Sequence, residues 1–252
     1  NDDHVQHHEN TTQPANTTQP SRILRDVTAV DWSTTILGQR SSLSVYISAT
    51  ALGKLGNLDG ELNSARAAGK HGIIQVIPTL ASSSFSEIVD AAQAGQPLFL
   101  ELYVNRDRNV TREYVQHAER RGVSGLFITV DAPQLGRREK DIRMKFVDDG
   151  VGAKVQEGHS DVKTDQSIAR AIRSFIDPSL AWKDIPWFRN ITKMPIVLQG
   201  VASPYDAILA LEAGVQGIVL DNHGGRQRDN ARSGLENLVD IVAAHKTRQL
   251  IY

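Results

Sequence analysis

The stretch Gln216-Gly-Ile-Val-Leu-Asp-Asn-His-Gly-Gly-Arg-Gln227 decides how the rest of the chain is read. Its apolar opening, up to Leu220, is short and bounded by turn residues, the pattern of a parallel strand buried on both faces. In parallel sheets, ligands gather beyond the carboxyl ends of the strands, and there the chain places His223, Gly224, Gly225 and Arg226. Imidazole titrates near neutrality, and a guanidinium three residues on can grip a carboxylate with its planar fork. A proton acceptor beside an anion clamp suits an acidic substrate. The plainer alternative is a glycine-rich turn with a solvated His and Arg, and the motif alone does not separate the two.

Outward from this stretch the same unit recurs. Leu43 to Thr50, Gly72 to Thr79, Pro97 to Val104, Gly125 to Asp131 and Pro195 to Gln199 read as strands, with Gly217 to Asp221 as the sixth. Helices are expected over Asp59 to Gly69, Ser84 to Ala94, Thr111 to Arg121, Pro204 to Gly214 and Leu235 to His245. Ser84 and Glu87 have capping-box spacing. Strand and helix in alternation demand right-handed crossovers and a parallel sheet covered by helices. Polar residues recur at the strand ends, at Thr50, Thr79, Tyr103, Asp131, Gln199 and Asp221. That favours a barrel, whose strand ends share one mouth, over an open sheet with a single switch point. The connection from Ala132 to Asp184 is far longer than usual, as in a lid or substrate-facing insertion, and carries Arg137 and Arg138 near its base.

Composition sets wider bounds. The 252 residues are 40% hydrophobic and 23% charged, enough for one large domain. A formal charge of -1 offers no field to attract nucleic acid or an anionic membrane. The absence of cysteine excludes disulfides, thiolate nucleophiles and thiolate metal sites. No apolar run is long enough to span a bilayer and no secretory signal is visible, so a cytoplasmic protein is the expectation. Residues 1–21 repeat Asn-Thr-Thr-Gln-Pro and have almost nothing to bury; they read as a disordered tail before a domain over 22–252.

A set of short motifs then occurs in a fixed order: Ser33-Thr-Thr-Ile-Leu-Gly38, Ser48-Ala-Thr-Ala-Leu52, Pro78-Thr-Leu-Ala-Ser82, Leu102-Tyr-Val104 and Thr129-Val-Asp-Ala-Pro133. Leu135-Gly-Arg-Arg-Glu139, Asp177-Pro-Ser-Leu-Ala-Trp-Lys-Asp184 and Asn222-His-Gly-Gly-Arg-Gln227 complete it. Together they resemble the FMN-dependent 2-hydroxy acid dehydrogenases and oxidases, the family of glycolate oxidase and of the flavin domain of flavocytochrome b2. The resemblance implies a (β/α)8 TIM barrel with FMN at its mouth. It makes His223 the base, with Asp131 hydrogen-bonded to it and stabilising the imidazolium. It makes Arg226 and Arg138 the carboxylate clamp and directs the Tyr103 hydroxyl to the substrate. Thr50, Ala51, Ser82, Glu101, Thr129 and Gln199 fall where the family contacts the flavin. It implies a small L-2-hydroxy acid substrate, lactate- or glycolate-like, with oxygen or a cytochrome as electron acceptor and a homo-oligomeric assembly.

Three positions depart from the family pattern: Gln199 stands for a lysine, Glu101 for a glutamine and Asp221 for a serine. One cation fewer and two carboxylates more make reduction of the flavin harder. The resemblance also stops at the start of a seventh strand, near Gln249 to Tyr252, before the family's phosphate-binding stretches. An incomplete barrel is therefore expected, and a non-catalytic relative or gene fragment that does not retain FMN stays open as the alternative.

Overall fold

The computed structural model describes residues 23, 24, 26–134, 136, 143, 176–226 and 228–244. The tail 1–21, Arg137 and Arg138 lie outside the described residues. A small hairpin opens the described fold, β1 (Thr34–Ile36) pairing antiparallel with β2 (Gln39–Ser41). Its turn residues Leu37 and Gly38 have φ of 49° and 78°, the two positive values that a tight right-twisted hairpin needs. The main sheet consists of β3 (Gln75–Ile77), β4 (Leu98–Leu102), β5 (Leu126–Thr129), β6 (Ile196–Gln199) and β7 (Gly217–Val219), parallel and in sequential order. Ile47 adds a parallel bridge to Gln75 at the outer side of β3.

Six helices accompany the described strands: α1 (Glu61–His71), α2 (Phe85–Ala91), α3 (Arg108–Arg120), α4 (Ile185–Ile191), α5 (Pro204–Glu212) and α6 (Gly234–Ala244). Their starts are chemically marked. The Ser84 hydroxyl accepts the Glu87 N–H while the Glu87 carboxylate accepts the Ser84 N–H, completing the expected capping box. Ser203 caps α5 by accepting the Asp206 N–H, with Pro204 in the first turn where its missing N–H has no helical partner to lose.

Side-chain alternation splits the strands into two packed faces. Leu98, Leu100, Leu102, Leu126, Ile128, Ile196, Leu198 and Ile218 point to the helices and bury against Phe85, Ile88, Val115, Phe188 and Ala210. Val76, Phe99, Phe127, Val197 and Val219 point the other way, with Phe99 stacked on Phe127 at 5.3 Å. Ile36 of the hairpin joins this inner cluster. Two residues further along, the same inner face carries Glu101, Thr129 and Gln199, all buried. An apolar floor thus supports a polar layer at the carboxyl ends of the strands. Among the described residues, no helix is long and apolar enough to cross a membrane.

Three elements differ from the sequence expectation. Leu43 to Thr50 shrinks to the bridge at Ile47, because Leu43 and Val45 point to solvent and bury too little to hold a longer ladder. The hairpin β1–β2 was not expected, since three-residue strands show no periodicity. Helix α4, seven residues behind a turn at Trp182–Asp184, fills the stretch between the end of the long connection and β6, where no helix was expected.

Candidate active site

The polar layer begins with Glu101 on β4. One carboxylate oxygen accepts the Thr129 hydroxyl at 2.6 Å, and the other accepts the Thr79 N–H at 3.0 Å. Burial, opposed by those hydrogen bonds, pushes the Glu101 carboxyl up to about 7, with Asp131 and Asp221 adding repulsion. Near neutrality this side chain changes between a neutral hydrogen-bond donor and an anion.

Beyond β5, Asp131 comes against the turn that follows β7. Its Oδ2 accepts the N–H of Gly224 at 2.5 Å, while Oδ1 is buried with no hydrogen-bond partner among the described residues. Burial raises the Asp131 carboxyl, His223 lowers it and Asp221 raises it again; the net direction is up. Two glycines make the approach possible. A Cβ on Gly200, whose φ is +99°, would sit 2.5 Å from the Asp131 side chain, and one on Gly224 would sit 2.9 Å from the Asp131 carbonyl oxygen.

His223 opens the short helical turn His223–Arg226, and its Nε2 lies 3.1 Å from the hydroxyl of Tyr103, at the end of β4. The two rings meet edge to face with centroids 6.2 Å apart. Tyr103 is buried and packs with Leu80, Ala132 and Ile176, which fixes its hydroxyl. The sequence expectation of a hydrogen bond between Asp131 and the His223 ring takes another form. The carboxylate bonds the amide next to His223 and acts on the imidazole through charge. A carboxylate, an imidazole and a phenol therefore converge at the strand ends. Such a group can accept a proton on the ring, hold the resulting cation beside an anion, and direct a hydroxyl at a bound oxygen.

A family model described as FMN-dependent dehydrogenase matches residues 1–252. The chain belongs to that family. An L-lactate dehydrogenase (cytochrome) from Wickerhamomyces anomalus is 52% identical over 229 residues, 91% of this chain and 39% of that protein. The L-lactate dehydrogenase (cytochrome) of Saccharomyces cerevisiae is 44% identical over 98% of this chain and 42% of its own length. A mutant flavocytochrome b2 with pyruvate bound superposes with a TM-score of 0.77 at 43% identity, covering 91% of this chain and 54% of that chain. Mandelate oxidase with (S)-4-hydroxymandelic acid gives a TM-score of 0.81 at 34% identity, covering 91% and 65%. The chain thus spans less than half the length of the two lactate dehydrogenases, and its sheet is part of the (β/α)8 barrel of these FMN-dependent dehydrogenases.

Within this family frame the remaining expected site residues divide. Arg226 sits exposed at the end of the His223 turn, while Arg138 lies outside the described residues. Thr50 and Ala51 are exposed just after the Ile47 bridge. Ser82 is buried and engaged elsewhere in the chain: its hydroxyl donates to Glu61 at 2.8 Å and accepts the Lys54 N–H at 2.9 Å. Gln199 donates from Nε2 to Asp221 Oδ2 at 3.0 Å. Sequence reading missed Gly200 and Glu61. For Gly200 the signal was a glycine directly after a strand; for Glu61 there was none, because an acidic residue in a first helical turn ordinarily faces solvent.

The residues present suit a flavin ring. Its edge offers both donors and acceptors, and the layer of Glu101, Thr129 and Gln199 has both kinds of group above an apolar floor. The set is richer in carboxylates than in cations, so the neutral oxidised ring suits it better than an anionic one.

Proposed function

We propose that this chain forms the catalytic part of an FMN-dependent enzyme that oxidises a small L-2-hydroxy acid, lactate- or glycolate-like, to the 2-oxo acid. The observation that carries the proposal is the hydrogen bond between Tyr103 and His223 Nε2, with the Asp131 carboxylate acting on the same ring from the neighbouring strand end. The relatives point the same way: lactate dehydrogenases, glycolate oxidases and mandelate oxidase all act on acids with a hydroxyl beside the carboxylate.

In this reading His223 Nε2 takes the substrate proton, and the positive ring that results is held by the negative charge of Asp131. Tyr103 turns its hydroxyl from the imidazole to the substrate oxygen, where it stabilises developing charge. Arg226 binds the substrate carboxylate in fork geometry, and Arg138 supplies the second cation. Thr50, Ala51, Glu101 and Thr129 would hold the FMN ring, with Ser82 contributing through the loop that it pins to Glu61. When bound, FMN accepts the two electrons. The electron acceptor is a cytochrome or oxygen, as the relatives' names suggest, and a homo-oligomeric assembly belongs to the same proposal.

The test is to incubate the purified chain with FMN, L-lactate, glycolate or (S)-mandelate and an artificial electron acceptor, and to assay the 2-oxo acid. Product that depends on FMN supports the reading. No product with any of the three acids, from protein that has taken up the flavin, contradicts it.

A further inference from the structure

Gln199 and Gly200 lie side by side at the end of β6, and each touches a different carboxylate. Gln199 is buried, pairs in register with Val219 and donates to Asp221 Oδ2 at 3.0 Å. The other oxygen of Asp221 accepts the backbone N–H of His223. Gly200 lies against the side chain of Asp131, whose Oδ2 accepts the backbone N–H of Gly224. Two successive amides of the His223 turn are therefore each held by a carboxylate, and both carboxylates bear on the same dipeptide of the adjacent strand.

We propose that Gln199 and Gly200 are positioning residues that set the His223 turn through Asp221 and Asp131, so that the Gln199 amide serves the turn. The physical case is one of matched donors and acceptors. Asp221 has one oxygen for the strand and one for the turn, and a side-chain amide is the neutral donor that tethers it without adding a third charge between Asp131 and Asp221. Gly200 does by its lack of a Cβ what Gln199 does by bonding: it lets Asp131 close on the turn. With both tethers in place the imidazole is held at Tyr103 rather than swinging with a free loop.

The role is tested on the chain itself, without flavin or substrate, by amide hydrogen exchange at His223 and Gly224, with Leu126 and Ile196 in the sheet as internal controls. Gln199→Glu sets carboxylate against carboxylate and should speed exchange at His223 about tenfold, the equivalent of one lost hydrogen bond to a charged group. Gln199→Lys restores a donor to Asp221 and should stay within about twofold of the parent, a dependence on donor character that a mere packing role lacks. Asp221→Ala should match the Glu variant, while Asp221→Asn keeps an acceptor for the His223 N–H and should exchange close to the parent. Equal exchange at His223 in the parent, Gln199→Glu and Gln199→Lys overturns the proposal. If Gln199→Glu does not fold, the pair at Asp221 decides: parent-like exchange in Asp221→Ala overturns it.

Discussion

Tyr103 and His223, 120 residues apart in the chain, meet with the phenol oxygen 3.1 Å from the imidazole Nε2. Parallel pairing brings them together: β4 and β7 are separated by two strands, and both residues stand at or just beyond a carboxyl end. Removing the phenol oxygen tests what the contact does. In FMN-loaded protein, Tyr103→Phe should lower kcat/KM about 10- to 100-fold, since a group that orients the base and bonds the substrate contributes about 1.4 to 3 kcal/mol. The melting temperature should move little, because the ring stays packed on Leu80 and Ile176.

Glu101 gives a pH signature that needs no ligand. Its folded value of about 7 lies above its ordinary 4.5, so burying it destabilises the fold as soon as the carboxyl ionises. The penalty is absent below pH ~4.5, grows through the interval up to about 7 and is complete above it. Glu101→Gln stays neutral, with Thr79 N–H donating to its carbonyl and its amide donating to the Thr129 hydroxyl. Denaturant titration should find the variant more stable by up to about 3 kcal/mol at pH 8 and about equal at pH 4. A parent as stable as the variant at pH 8 would show that Glu101 is not buried in an ionisation-hostile layer.

Glu61 has the opposite sign. Burial raises its carboxyl, but the Ser82 and Gly53 N–H groups and the Ser82 hydroxyl outweigh it and hold the group below its usual value. Its contribution to stability is therefore present above pH ~4.5 and is lost as pH falls through the lowered folded value. Glu61→Gln puts an amide where two oxygens now receive several donors and should destabilise the fold by about 2 to 3 kcal/mol at pH 7. The deficit should shrink toward pH 3; a pH-independent deficit would mean that the charge is not what holds the loop.

Gly200 combines a left-handed φ of +99° with contact against Asp131. Gly200→Ala should cost about 2 kcal/mol or more in stability, from backbone strain and the displaced carboxylate. Urea unfolding checks it. A change under about 0.5 kcal/mol would show that the Asp131 approach has slack.

Most of the sheet was legible in the chain because parallel strands buried on both faces leave unmistakable apolar runs, as in Leu98–Leu102 and Ile196–Gln199. The strand ends were legible for the same reason: once the runs are placed, Asp131, Tyr103 and His223 must fall at one edge of the sheet. What stayed hidden depends on side-chain direction. The sequence does not say that the Asp131 carboxylate bonds the Gly224 amide in place of the imidazole, nor that Ser82 turns toward Glu61. The pairing of Gln199 with Asp221 was equally hidden, since two departures from a family pattern read separately do not announce that they touch.

Under the proposed function, His223 takes the proton whose removal initiates oxidation of a 2-hydroxy acid. The most direct measurement loads the chain with FMN, mixes it with L-lactate under anaerobic conditions and follows the loss of flavin absorbance in the parent and in His223→Asn. The parent should bleach, and the variant should keep its bound flavin colour without bleaching. A His223→Asn protein that bleaches at the parent's rate would contradict this role for His223.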